Sequence, residues 1–312
     1  MKKLCNIIRY WILPFLAIFL WPELAHAWGP TVHAHLAMAT LANLGLFAPG
    51  LKKLLERFPN DFIYGNLSAD IILGKKFIDY YYHCHNWRVG LQVLDHAKTD
   101  SQRAFAYGYL CHLAADVVAH NLFIPDKLVR AHHTLAAKHV YWEVRYDQRL
   151  DPKLLHQAFR IAKNYHQRND PLLEEVLVET LFSFKTNKKI FNGLMVFQKH
   201  IHIQKLFQNI AKKSPLNLHE ERANRYLALA QKCINDMLID LSKSDPFLAD
   251  ASGQQKLATA KEIRKRIKKS KIDKSLTDKD IENIINKFHE ILNETLFSPN
   301  DCPPPKQIIE LA

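Results

Sequence analysis

The chain has 312 residues, 43 Lys and Arg against 31 Asp and Glu, a formal charge of +12, and only 9 glycines. That length supports one large core, and so few glycines argue against a strand-and-turn architecture. The basic excess suits anionic partners such as phospholipid head groups, phosphodiesters or nucleic acid; the five cysteines lack C-x-x-C spacing, which excludes an ordinary thiolate zinc site.

Lys2, Lys3 and Arg9 precede an almost wholly apolar run from Trp11 to Trp21, and Ala25-His26-Ala27 forms an A-x-A-like exit. This is the pattern of a signal peptide over residues 1–27, and it predicts export to the periplasm or beyond. The apolar core of about ten residues is shorter than the roughly 20 needed to span a bilayer. Cleavage after Ala27 would free the amine of Trp28, five residues from His33. A new N-terminus of that kind can bind a metal.

Downstream, apolar residues recur at three- and four-residue intervals, and sustained alternation is rare. Helices are expected over 31–47, 50–58, 101–121, 134–149, 152–167, 171–186, 188–212, 217–243, 254–271 and 278–296, so the fold class is all-α. After about Pro246 a polar stretch, Ala249 to Gln255, leads into the basic run Lys261 to Lys269. A solvated helix face is its default reading, although the charge also suits anionic lipid or nucleic acid. Thr277 with Asp280 resembles a capping box with Asp in place of Glu, and the Pro303-Pro304-Pro305 tail reads as extended and mobile. The expected organisation is a leader over 1–27, a helical domain over 28–250 and a basic helical extension with a flexible tail over 251–312. Cys84, Cys111, Cys233 and Cys302 remain after the leader, a count compatible with one or two disulfides that gives no pairing.

Eleven of the 17 histidines lie between His26 and His139. His112, Asp116 and His120 fall at i, i+4 and i+8, which puts all three on one helix face, and the residues between them are apolar. Imidazoles and a carboxylate on a buried helix are costly unless something satisfies them. His139 and Glu143 repeat the four-residue interval on another apolar segment. Such a pair converges on one cation, yet either pair alone reads equally well as an ion pair or a satisfied core histidine. Asp70 and His85, fifteen residues apart, read singly as a helix cap and a loop histidine.

Taken in order, Trp28 and His33, Asp70 and His85, His112 with Asp116 and His120, then His139 with Glu143 resemble the zinc-dependent phospholipases C and single-strand-specific zinc nucleases. The resemblance covers roughly residues 28–150. It implies an all-helical fold holding up to three zinc ions. The Trp28 amine and carbonyl, His33 and Asp116 would hold one; Asp70, His85, His112 and a bridging Asp116 a second; His120, His139 and Glu143 the third. His120 follows Asp116 at a shorter interval than in the best-known members and looks like a bacterial subgroup of the family. His35 competes with His33, His83 with His85, and His132 and His133 would replace His120 if the helix ended at Asn121 to Pro125.

What the resemblance implies chemically is phosphodiester hydrolysis by metal-activated water, with Asp70 as both ligand and candidate general base. Glu143 in the last ligand position resembles the lipase branch and favours a glycerophospholipid cleaved on the glycerol side of phosphate. The Trp28 to His33 interval looks nuclease-like and keeps nucleic acid as the alternative substrate. A noncatalytic helical protein stabilised by zinc is the third reading. Phe77, Tyr80, Tyr81 and Tyr82 are candidates for contacting acyl chains or bases, and the basic excess is compatible with peripheral contact with an anionic membrane.

Overall fold

A helix buried on every side belongs in the middle of a protein, and Tyr109 to Val118 form such a segment, each of them buried and all but His112 and Asp116 apolar. In the computed structural model, which describes residues 28–72, 83–134, 142, 145–177, 180, 182–199, 219–298 and 302–312, that segment is the centre of the fold. The helices in chain order are α1 (Pro30–Ala42), α2 (Pro49–Arg57), α3 (Pro59–Ser68), α4 (Trp87–Asp95), α5 (Asp100–Val118), α6 (Ile124–Arg130), α7 (Pro152–Asn164), α8 (His166–Val176), α9 (Phe184–Lys199), α10 (Glu220–Ile239), α11 (Asp245–Leu248), α12 (Gln254–Asp273), α13 (Asp278–Glu294) and α14 (Pro305–Glu310). No strand occurs among the described residues, so the all-α class holds. No helix among them is long and apolar enough to cross a membrane.

The central helix α5 starts where Thr99 accepts from the Gln102 amide and is surrounded chiefly by α3, α4 and α10. Its closest neighbour is α3. A Cβ on Gly65 would fall 1.9 Å from the Phe105 carbonyl oxygen, and one on Gly108 would fall 2.0 Å from the Phe62 carbonyl oxygen. Glycine at both positions lets the two backbones touch, and the crossing brings Asn66 and Asp70 towards the middle of α5.

Several elements depart from the sequence expectation. α3, α4 and α6 were not expected: α3 buries Asp61, Asn66 and Ser68 as well as apolar residues and so shows no clean stripe, and α4 is only nine residues long. The chain does not stop helically at Asn121. A π-turn over Ala119–Phe123 carries it from α5 into α6, just ahead of Pro125, which has no N–H to offer and whose ring would crowd a normal turn. The expected helix 171–186 is instead the end of α8 and the start of α9, with Ser183 accepting from the Thr186 amide. Of the expected helix 134–149 only Thr134, Trp142 and residues 145–149 are described, and the second half of 188–212, from residue 200 on, lies outside the described residues.

The C-terminal segment packs against the rest. Ile263, Ile267, Ile284 and Phe288 join the same buried cluster as Trp28 and Tyr109, and α12 lies on α6 and the π-turn. The Thr277–Asp280 capping box forms with both reciprocal bonds. The tail is not extended: Pro305 starts α14, and Ile308 is buried where α14 meets α12 and α13. Lys261, Lys265, Arg266 and Lys269 are exposed, as a solvated helix face requires. Cys84, Cys111, Cys233 and Cys302 are each buried, and no disulfide joins any two of them.

Candidate metal centre

Asp116 is the focus of the site. Its Oδ1 lies 3.4 Å from His33 Nε2, and its Oδ2 lies 2.9 Å from His85 Nε2, 3.2 Å from His112 Nε2 and 3.3 Å from His120 Nε2. Asp70 Oδ1 joins from the end of α3, 3.3 Å from His85 Nε2 and 3.8 Å from His112 Nε2. All six side chains are buried. The face predicted for His112, Asp116 and His120 is therefore real, and the π-turn keeps His120 within reach of Asp116 despite its wider winding.

His112 Nε2 and His85 Nε2 lie 3.1 Å apart, but neither Asp116 oxygen nor either His33 nitrogen finds a hydrogen-bond partner among the described residues. Leaving a buried carboxylate and imidazole unsatisfied is expensive. An ion between them would remove the cost. The donors fall into three mutually close groups, His33 with His112 and Asp116, Asp70 with His85 and His112, and His85 with Asp116 and His120. Imidazole nitrogens and carboxylate oxygens without thiolates suit zinc, so the residues present fit that metal.

Surrounding groups fix the orientation of these side chains. His112 Nδ1 sits 2.8 Å from the Asn66 carbonyl oxygen, a contact that requires the proton on Nδ1 and leaves the Nε2 lone pair facing the centre. His33 stacks on His112 with ring centroids 3.8 Å apart. The Tyr109 hydroxyl donates to the Cys84 carbonyl at 2.6 Å and anchors the loop that carries His85. His83 accepts the His85 amide at 3.1 Å, so it shapes that loop while His85 presents Nε2 to Asp116. His83, Cys84 and His85 also bring their donor atoms together, but away from Asp116.

Electrostatics follow from burial and from these contacts. Burial alone would raise the Asp116 carboxyl, yet the His112 and His120 imidazoles outweigh it and hold Asp116 well below the usual carboxylate range. Burial pushes His33 down. Burial also acts to lower His112, but the Asp116 and Asp70 charges prevail and raise it. The carboxylate is thus ionised, the form in which it can accept a metal.

Of the competing histidines, His33 joins a donor group, whereas the half-buried His35 joins none among the described residues. His132 bonds the Val129 carbonyl and packs on His133, and neither belongs to a donor group among the described residues. Trp28 is fully buried between Phe123 and Tyr146, with ring centroids 6.2 Å and 5.6 Å away. His139 and Glu143 lie outside the described residues, as do Phe77, Tyr80, Tyr81, Tyr82 and the leader 1–27.

One functional group escaped the sequence reading. The Asp147 carboxylate accepts the Thr31 and Val32 amides, each at 3.2 Å, and so caps α1 between Trp28 and His33. Gly29 supplies no side-chain cap, and Pro30 opens the helix. The signal was present: His139, Glu143 and Asp147 follow one another at four-residue intervals.

A family model described as zinc dependent phospholipase C matches residues 32–190, half of the chain and some 40 residues beyond the motifs themselves. No curated protein and no solved structure matches. The match begins one residue before His33 and contains Asp70, His85, His112, Asp116 and His120. On the helical fold, the nitrogen-and-oxygen donor cluster and this match, the chain belongs to the zinc-dependent phospholipase C family.

Proposed function

We propose that this protein is an exported phospholipase C that cleaves glycerophospholipids on the glycerol side of phosphate. The observation that carries the proposal is the buried cluster in which one carboxylate, Asp116, meets four imidazoles beside a second carboxylate, Asp70, within the family match. His33, Asp70, His85, His112, Asp116 and His120, together with the Trp28 amine, His139 and Glu143, are the residues assigned to hold up to three zinc ions. Bound zinc would supply neutralisation of phosphoryl oxygens and a lowered pKa for water.

The chain's own groups do the rest. Asp70 Oδ1, at the edge of the cluster, is assigned to orient the attacking water and take its proton. Burial of His33, His85 and His112 around it keeps bulk water from competing for those contacts. The exposed Lys261, Lys265 and Lys269 on one face of α12, beside Ile272 at 85% exposure, support peripheral contact with an anionic bilayer. Removal of the leader 1–27 would deliver the 28–250 domain and its 251–312 extension to the periplasm or the medium.

Parallel assays of the purified mature chain on phosphatidylcholine, single-stranded nucleic acid and a chromogenic phosphodiester test the proposal. Release of diacylglycerol supports it. Release of nucleotides with intact lipid would turn the reading to a zinc nuclease, and silence on all three substrates with zinc tightly bound would make the metal structural.

A further inference from the structure

We propose that the turn Ala249–Gly253, outside the family match, is a positioning device for His120, with Gly253 as the residue that meets it. The proposal rests on reading His120 as a metal ligand. Gly253 stands at φ +59°, where side chains are strained, and a Cβ there would fall 2.5 Å from the His120 carbonyl oxygen and 2.6 Å from His120 Cβ. Its backbone is therefore a flat wall against the base of the His120 side chain.

The wall is held from both sides of the cluster. Asn121, next to His120, donates from Nδ2 to the Asp250 carbonyl at 2.7 Å. Trp87, two residues after His85, donates from Nε1 to the Ala249 carbonyl at 2.9 Å. The Asp250 carboxylate fixes the turn internally by accepting the Ser252 amide at 2.9 Å, the Ser252 hydroxyl at 2.8 Å and the Gln254 amide at 3.1 Å. Ala251 and Ser252 are buried, and α12 leaves directly from Gly253 to pack on α6.

The location of the contact matters because the π-turn is the least regular stretch of the central helix. The π-turn departs from the regular i→i+4 bonding of the helix, and His120 sits inside it. A backbone pressed against its carbonyl and Cβ fixes where that residue lies. The segment beyond the family match thus completes the site that the match contains.

The test compares the full mature chain with Gly253→Ala, His120→Ala, the double variant, Asp250→Ala and Phe288→Leu. Phe288 is a buried core residue of α13 and controls for general loss of stability. Cobalt or zinc is titrated against a competing chelator, with circular dichroism and thermal unfolding of the metal-free forms alongside. Gly253→Ala is expected to weaken one metal equivalent by about 10- to 100-fold, the range for lost outer-shell support. His120→Ala weakens that same equivalent, and the double variant goes no further than His120→Ala. Asp250→Ala, which leaves the His120 contact free of a new side chain, gives a smaller loss and stands in should Gly253→Ala fail to fold. Metal affinity unchanged in Gly253→Ala or Asp250→Ala, while His120→Ala loses an equivalent, overturns the positioning role and leaves the ligand reading intact. Affinity unchanged in His120→Ala overturns both, and a loss in Phe288→Leu equal to that in Gly253→Ala reduces the effect to stability.

Discussion

His112 and Asn66 are joined across the α3–α5 crossing, His112 Nδ1 lying 2.8 Å from the Asn66 carbonyl oxygen, and the contact exists only because Gly65 and Gly108 let the two helices touch. Helix packing and imidazole orientation are therefore one event. Gly108→Ala places a methyl against the Phe62 carbonyl and should cost about 1–3 kcal/mol, the usual range for overpacking. Denaturant unfolding of the metal-free protein reads that loss, and zinc titration should show weaker binding in the same variant. Unaltered zinc affinity in a destabilised Gly108→Ala would uncouple the crossing from the site.

Asp116→Asn keeps the size of the side chain and removes the charge that faces four imidazoles. Zinc affinity should fall by more than about 100-fold, the upper end seen when only an outer-shell partner is lost. Phosphodiester hydrolysis should fall to background with it. Elemental analysis after dialysis measures the first, and a variant that retains every zinc would remove Asp116 from the centre.

Tyr109→Phe deletes the hydroxyl that holds the Cys84 carbonyl at 2.6 Å. A buried carbonyl without its donor costs about 1–3 kcal/mol, and the His85 loop loses its anchor. Zinc affinity should drop by about 10-fold or more while the helical content is unchanged. Equal affinity in Tyr109→Phe and the parent would show that the loop is fixed by other contacts.

Asp126 lies at the junction between the central helix run and the C-terminal segment, 2.7 Å from Arg130 Nε and 3.0 Å from His289 Nδ1 on α13. Burial acts to raise its carboxyl, but His289, Lys127 and Arg130 outweigh burial and depress it below the ordinary range. The folded state therefore binds fewer protons at this group than the unfolded chain does. Its stabilisation is complete above the ordinary carboxylate pKa of about 4 and is lost as pH falls through the depressed value. Asp126→Asn should be less stable by about 3 kcal/mol at pH 7, and the gap should shrink below pH 4. Urea unfolding across that window checks the sign; a gap that widens in acid contradicts it.

Trp28 gives a prediction about chain length. A protein that begins at Trp28 should bind one zinc more tightly, and turn over faster, than one that retains Ala27, with the same circular dichroism from both. If the longer chain binds zinc and hydrolyses phosphodiesters equally well, Trp28 is simply the core residue that its packing on Phe123 and Tyr146 already makes it.

The fold class and half of the site were legible because both are written in local periodicity. Four-residue spacing alone put His112, Asp116 and His120 on one face, and Thr277 with Asp280 announced a helix start. What sequence spacing could not carry is contact between distant segments. The short α3, buried on all sides, has no stripe to read, yet it delivers Asp70 and the Asn66 carbonyl. Asp147 caps α1 from 116 residues away, and Gly253 meets His120 across a similar gap. The amino-acid sequence by itself determined a helical protein with the donor types of a zinc centre. Tertiary structure decided which donors meet, because that depends on backbones close enough at Gly65 and Gly108 to touch and on a π-turn held in place by a segment far along the chain.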